Sequence, residues 1–197
     1  MSETISDKDL DILFRTARSQ NAWQAKPVAE ATLHALHELL AFGPTSVNCQ
    51  PARFVFVTSE AGKARLLPHL SGSNREKTAA APVCVIVAHD KQFYDLIPEF
   101  FPSMPAARDW FAHDEGVAAA TAFRNGTLQG AYLIMAARAL GLDTGPMSGF
   151  DNAGVDREFF PDGRFASNFL INLGHGDPAG VFPRSPRPAF DKVCQIV

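Results

Sequence analysis

The chain has 197 residues, 46% of them apolar, which suits one domain with a substantial core and is too apolar for a disordered segment. A formal net charge of −3, without runs of like charge, removes the electrostatic case for nucleic acid or an anionic membrane as partner. Cys49, Cys84 and Cys194 are odd in number, widely spaced and free of any Cys-x-x-Cys, so a disulfide framework is excluded and a reducing, cytoplasmic compartment is expected.

The stretch from Met1 to Asp11 carries Glu3, Asp7, Lys8, Asp9 and Asp11 with no apolar run, so it is not expected to be a signal peptide. Ser6 or Asp7 can cap a first helix ending near Arg18, with Leu10, Leu13, Phe14 and Ala17 at helical spacing. A second helix is expected over about Ala29–Phe42, with Leu33, Leu36, Leu39 and Leu40 on one face. Gly43-Pro44 should stop it, the glycine by left-handed backbone and the proline by steric constraint. Arg53–Thr58 reads as a strand, Glu60–Leu70 as a helix, and the apolar run Val83–Ala88 as a strand buried on both faces. Lys91–Phe101 reads as a helix interrupted by Pro98, and Pro102–His113 as a loop or lid.

Gly116–Leu140 predicts the longest helix, rich in Ala and Gly, with Gly141 as its natural stop. Arg124, Asn125, Gln129 and Arg138 interrupt its apolar character, so it reads as a core helix and not a membrane span. Asp143–Pro146 and Asn168–Leu173 are further strands, with a helix capped by Asp151 between them. The Pro-rich segment of about 178–197 reads as an arm running along a surface or across a partner. Helices first, then strands separated by helices, predict an α+β or mixed α/β architecture in one domain over 1–197.

Several motifs are absent. Gly174–Gly180 resembles a dinucleotide fingerprint but is one residue too long, and Pro178 and Pro183 forbid the helix that must follow. Ser148 is misplaced for a nucleophile elbow. His34 and His37 share a helix face, but no carboxylate or Cys completes a metal set, and no metal is expected.

What remains is a set of scattered polar segments: Arg18-Ser19-Gln20-Asn21, Pro44-Thr45-Ser46-Val47-Asn48-Cys49-Gln50-Pro51, Asn74-Arg75-Glu76-Lys77, Gly145-Pro146-Met147-Ser148-Gly149-Phe150, and the late pair Arg184 and Arg187. Singly, each also reads as ordinary structure: a solvated helix end, a helix-to-strand loop, a capped helix, a tight turn, a surface arginine. Together and in this order, they resemble the FMN-dependent nitroreductase family from about Phe14 to Phe190. Within that family, Gly43–Ser46, Ala122-Phe123-Arg124-Asn125, Gly141–Phe150 and Ser167–Gly174 are similar to the malonic-semialdehyde reductases of pyrimidine breakdown.

The resemblance implies an α+β fold with a central mixed sheet surrounded by helices, in an intertwined homodimer with FMN at the interface. It implies that Arg18, Ser19 and a late arginine (Arg187, or Arg184 in its place) hold the phosphate. Asn74 would bond the flavin's pyrimidine edge, with Lys77 as the nearby charge. Ser148 and Gly149, after Pro146 and Met147, would bring backbone donors to the reacting edge. Pro44, Thr45, Ser46 and Asn48 would reach the flavin of the other subunit. The chain departs from the family at Asn21, which replaces a usual cation, and at Ala52, which replaces a usual Trp. The implied chemistry is hydride transfer from NADH or NADPH through FMN to a small molecule, with no side chain as acid or base. Malonic semialdehyde is the acceptor the branch implies, with Arg108, His113 and Arg124 as candidate carboxylate partners. A broad nitroreductase or quinone reductase is the alternative.

Overall fold

The run Val83–Asp90 organises the molecule. In the computed structural model, which describes residues 3–197, it forms strand β2, buried at every position except His89. Met1 and Ser2, the start of the charged segment read as lacking a signal peptide, lie outside the described residues. β2 pairs with β1 (Ala52–Val57) on one side and β4 (Phe165–Gly174) on the other, and β3 (Asp143–Met147) pairs with β4, giving the order β1-β2-β4-β3. All three strand pairings are antiparallel. The expected mixed sheet is corrected to an antiparallel one; the parallel bridge between Ser19 and Thr144 is isolated and lies outside the named strands.

A strand buried on both faces needs cover on both, and alternation of side chains decides which residue meets which layer. Val83, Val85 and Val87 face α2 (Glu30–Leu40) and α7 (Glu115–Ala139), packing with Leu36, Leu40, Leu133 and Ala137. Cys84, Ile86 and Ala88 face the opposite layer, where α3 (Glu60–Leu66) supplies Leu66 and α8 (Asn152–Phe159) supplies Val155. A third cluster, with Phe93, Ile97, Ala107 and Phe111, fastens α5 (Ile97–Phe100) and α6 (Asp109–Ala112) to Ala118 and Ala122 of α7.

α7 begins where the Asp114 carboxylate accepts the Val117 N–H at 3.0 Å and ends at Gly141, whose φ of +76° only glycine adopts without strain. Gly126 and Gly130 face the sheet. A Cβ at Gly130 would enter the Phe169 ring, and one at Gly126 would lie 3.2 Å from His89 Cβ. The two glycines, one turn apart, therefore let the helix axis lie close over the sheet.

Several local expectations are corrected. The first helix is short: α1 (Asp7–Leu10) is capped by Ser6 and widens into a π turn at Asp11–Arg15. Leu39 is exposed, so the buried stripe of α2 is Leu36 and Leu40. Gly43 is not left-handed; it is small because a Cβ would lie 2.8 Å from the Tyr132 ring. Pro98 stands in the first turn of α5, where a missing N–H is harmless, and does not interrupt a helix. Pro102–His113 is not a free loop, since α6 lies within it and Phe111 is buried.

Candidate functional site

Two distant parts of the chain close one cleft of about 310 Å³, lined by Arg18, Ser19, Asn21, Phe182, Arg184 and Arg187 among others. The closure is reciprocal. Arg18 donates to the Phe182 carbonyl, and Arg184 donates back to the carbonyls of Arg15 at 2.8 Å and Ala17 at 3.0 Å. The Arg15 carbonyl ends the π turn and that of Ala17 lies two residues beyond it, where acceptors lack intrahelical donors and a cation is favoured. Arg187 bonds only to the nearby carbonyls of Ser185 and Pro186. The lining includes three guanidiniums, two hydroxyls and an amide but no carboxylate. Arg138 approaches from α7 and donates to the Leu13 carbonyl at 2.8 Å; burial lowers its pKa, Asp143 opposes that shift, and Arg184 adds to it.

β3 connects this cleft to a second group. Gln20 N–H donates to the Thr144 carbonyl at 3.0 Å, laying the segment after Arg18 along the strand. At the other end, beyond Pro146 and Met147, the Asn74 amide donates to the Gly149 carbonyl at 3.1 Å, and Ser71 N–H donates to the same oxygen at 3.0 Å. A Cβ on Gly149 would stand 2.7 Å from Asn74 Nδ2, so a side chain here would displace the Asn74 amide from the turn. Lys77 is half-buried on α4 (Asn74–Ala80), and its neighbour Thr78 reaches Met147 Sδ at 3.8 Å. Ser148 is exposed beside Gly149. Thr144 to Gly149 spans roughly 17 Å at strand rise, giving a ridge with a basic cleft at one end and a polar turn at the other.

The Pro44–Pro51 loop joins neither group. Its bonds go to α7 and to the Phe100 turn. Ser46 N–H donates to Asn125 Oδ1 at 2.9 Å, Asn48 Nδ2 donates to the Phe100 carbonyl at 2.7 Å, and Thr45 Oγ1 accepts from Gln50 N–H at 3.2 Å. Gln129 donates to Gln50 Oε1 at 2.6 Å and accepts from Ala52 N–H at 2.8 Å. Val47, Asn48 and Gln50 all have positive φ, of 47°, 49° and 40°. For a β-branched Val this is genuine strain, held by surrounding bonds, and such strain concentrates at functional sites.

Asn125 and Gln129 were missed as anchors. They sit at i and i+4 on the buried face of α7, and two inward amides at helical spacing are a readable sign that the helix holds backbone from elsewhere. Trp23 was also missed, and Gln20 stands in the Arg18–Asn21 segment without an assigned role. Gln20 Oε1 and Trp23 Nε1 are buried without partners where this segment covers the β3–β4 ends. No group of three His, Cys, Asp or Glu suited to a metal occurs among the described residues; His34 meets only Glu30, at 3.7 Å. No helix among the described residues is long and apolar enough to cross a membrane.

The sequence model of the Nitroreductase family matches residues 14–175. A protein of Burkholderia lata, provisionally named NADH dehydrogenase/NAD(P)H nitroreductase, is 60% identical over 193 residues, 98% of each chain. One of Ralstonia pickettii with the same provisional name, HadB, is 54% identical over 198 residues, the whole of both. Among solved structures, a provisionally named nitroreductase of Exiguobacterium sibiricum in complex with FMN superposes with a TM-score of 0.87 at 21% identity over the full length of both chains. The Bacillus subtilis protein ydfN gives 0.87 at 22% identity, over 98% of this chain and 100% of its own. At such identities these structures show a shared fold.

Proposed function

The chain belongs to the nitroreductase family, and we propose on that premise that it is an FMN-dependent oxidoreductase that reduces malonic semialdehyde to 3-hydroxypropionate with NADH or NADPH. The observation that carries the reading is the carboxylate-free arginine cleft at one end of β3, with the glycine turn against Asn74 at the other. A phosphate monoester wants forked cationic donors, and a planar ring edge wants backbone that comes close. The residues present fit both demands.

Arg18, Ser19 and Arg187 hold the phosphate, and Arg184 fixes the arm that carries Arg187. Asn21 lines the same cleft but adds no charge to it. Asn74 and Lys77 face the pyrimidine edge, while Ser148 and Gly149, after Pro146 and Met147, present backbone donors to the reacting edge. When bound, FMN supplies the hydride path from NAD(P)H to the acceptor carbon. Solvent supplies the proton to the acceptor oxygen, so no side chain is assigned as acid or base.

The partner is a second copy. Pro44, Thr45, Ser46 and Asn48 belong to a loop held by Asn125 of α7 and the Phe100 carbonyl, away from their own chain's cleft, and serve the flavin of the other copy. Two surfaces support the pairing. β1 is a sheet edge beside a groove of about 800 Å³ lined by Val28, Leu33, Phe54 and Phe56. The arm beyond Pro188 carries the exposed apolar residues Phe190, Val193 and Ile196, which suit it. The three cysteines are free, as suits a reducing cytoplasm.

A second reading, a broad NAD(P)H nitroreductase or quinone reductase, is favoured by the relatives' names, and the fold does not decide between acceptors. The protein is purified without added cofactor, its visible spectrum recorded and NADPH added anaerobically. A flavin spectrum that bleaches supports the flavoenzyme; a colourless protein that does not take up FMN overturns it. Side-by-side kcat/KM for malonic semialdehyde and a nitroaromatic then separates the two acceptors.

A further inference from the structure

We infer that Arg124 recognises the carboxylate of the acceptor and sets the enzyme's preference for acid-bearing substrates. This rests on the reading above, in which the Pro44–Asn48 loop borders the reacting edge of a flavin held by a second copy.

Arg124 is isolated in its charge. Between Glu115 and Arg138, α7 has no other charged residue, and the exposed face around it is apolar: Val117, Ala120, Phe123, Leu128 and Tyr132. Its neighbours one turn away are Ala120, Thr121, Thr127 and Leu128, so no acid can pair with it along the helix. Its side chain makes no ion pair and no hydrogen bond among the described residues. A guanidinium set in an apolar stripe with no acid beside it is left to pair with an anion that a ligand brings.

Its position is equally specific. The next residue, Asn125, points inward and holds Ser46 N–H at 2.9 Å, so Arg124 is one residue from the anchor of the strained loop. The two rival cations are less suitable. Arg108 is occupied by Asp95 at 3.2 Å and Asp109 at 3.4 Å and lies over the Tyr94 ring. His113 immediately precedes Asp114 and Glu115, whose charges repel an anion. A planar fork that bonds a carboxylate through two donors suits a small acid, whereas a neutral acceptor has nothing to offer it.

The test compares wild type, Arg124→Gln and Arg124→Lys on malonic semialdehyde and on the matched pair 4-nitrobenzoate and 4-nitrobenzamide. NADPH oxidation by the holoenzyme is followed separately in single turnover. The expected result is a KM for malonic semialdehyde and for 4-nitrobenzoate raised roughly 10-fold or more in Arg124→Gln. The values for 4-nitrobenzamide and for the NADPH half-reaction should stay unchanged, and Arg124→Lys should recover part of the loss. Equal effects on the benzoate and the benzamide overturn the inference. So does a loss confined to the NADPH step, which assigns Arg124 to the dinucleotide phosphates. A weaker dimer by sedimentation with unchanged acceptor kinetics also overturns it, and assigns Arg124 to the subunit interface. If wild type ignores malonic semialdehyde yet prefers 4-nitrobenzoate through Arg124, the carboxylate site stands and the natural acceptor is a different acid.

Discussion

Arg184 and Ala17 lie 167 positions apart in the chain and 3.0 Å apart in space, the guanidinium of one donating to the carbonyl of the other. Arg18 answers from the opposite wall by donating to the Phe182 carbonyl. The basic cleft is therefore a closed strap and not a surface accident, and its arginines are already oriented by backbone when a ligand arrives. That preorganisation is worth affinity, because less side-chain freedom remains to be lost on binding.

Arg184→Ala removes two bonds of the strap and one of the three positive charges lining the cleft. FMN affinity should fall by roughly 10- to 100-fold, the range for hydrogen bonds to charged groups. The thermal midpoint should hardly move, since Arg184 is exposed. Titration of the apoprotein with FMN, read by flavin fluorescence, measures this. Arg184→Lys restores charge without the fork and should recover only part; an unchanged dissociation constant would remove the arm from the site.

Gly149→Ala separates the turn from Asn74, because the new methyl would stand 2.7 Å from the amide nitrogen. Flavin binding should weaken while the urea midpoint shifts little, the turn lying at the edge of the core. The double variant Gly149→Ala, Asn74→Ala relieves the clash but not the lost donor. It should therefore bind flavin no better than Asn74→Ala alone, and recovery to wild-type affinity would refute the contact.

Gly130→Ala acts on stability instead. Its methyl would enter the Phe169 ring and lie 3.2 Å from Val87 Cγ1, forcing α7 off the sheet. Overpacking of this kind costs about 1–3 kcal/mol, which for a chain of this size lowers Tm by roughly 2–10 °C. Calorimetry tests it, and Phe169→Leu in the same chain should return part of the loss. A Tm equal to wild type would mean that the helix does not rest on this glycine.

Burial raises the Cys49 thiol to about 11 and the Cys84 thiol to about 12, from an ordinary 9.0. Both should resist Ellman's reagent at pH 8 in the native protein, while exposed Cys194 reacts. Only one thiol per chain should then titrate, and Cys194→Ser should abolish the signal. The linkage sign follows. Between about 9 and the raised values the unfolded chain holds fewer protons, so stability is intact below about 9 and falls as pH rises toward 11–12. Denaturant midpoints at pH 8 and pH 10.5 should show that fall, and it should shrink in Cys49→Ala, Cys84→Ala.

The elements that local chemistry decides were legible in the sequence. β2 is an unbroken apolar run, and α7 has small residues throughout with Gly141 as its stop. α6 was not, because Phe111 is buried only by meeting Phe93, Ile97, Ala118 and Ala122, which no local pattern reveals. Of the site residues, Arg18, Ser19, Asn21, Arg184 and Arg187 do gather in one cleft, and Asn74 does meet Gly149. The left-handed backbone at Val47, Asn48 and Gln50 had no sign, since the stretch contains no glycine; Asn125 and Gln129 impose it from α7. Those two amides were visible as polar residues in an apolar helix, yet their polarity reads equally as an interruption until the loop they hold is known.

The strap also orders events during synthesis. A ribosome that has completed every strand, through Gly174, has made only one wall of the basic cleft. The nascent chain can lay down its sheet and helices while it still has no place to grip an anion, and it gains one when Arg187 emerges. On the proposed reading, cofactor loading would wait for a molecule whose core is already made, and fragments that stop short of the arm should take up no FMN.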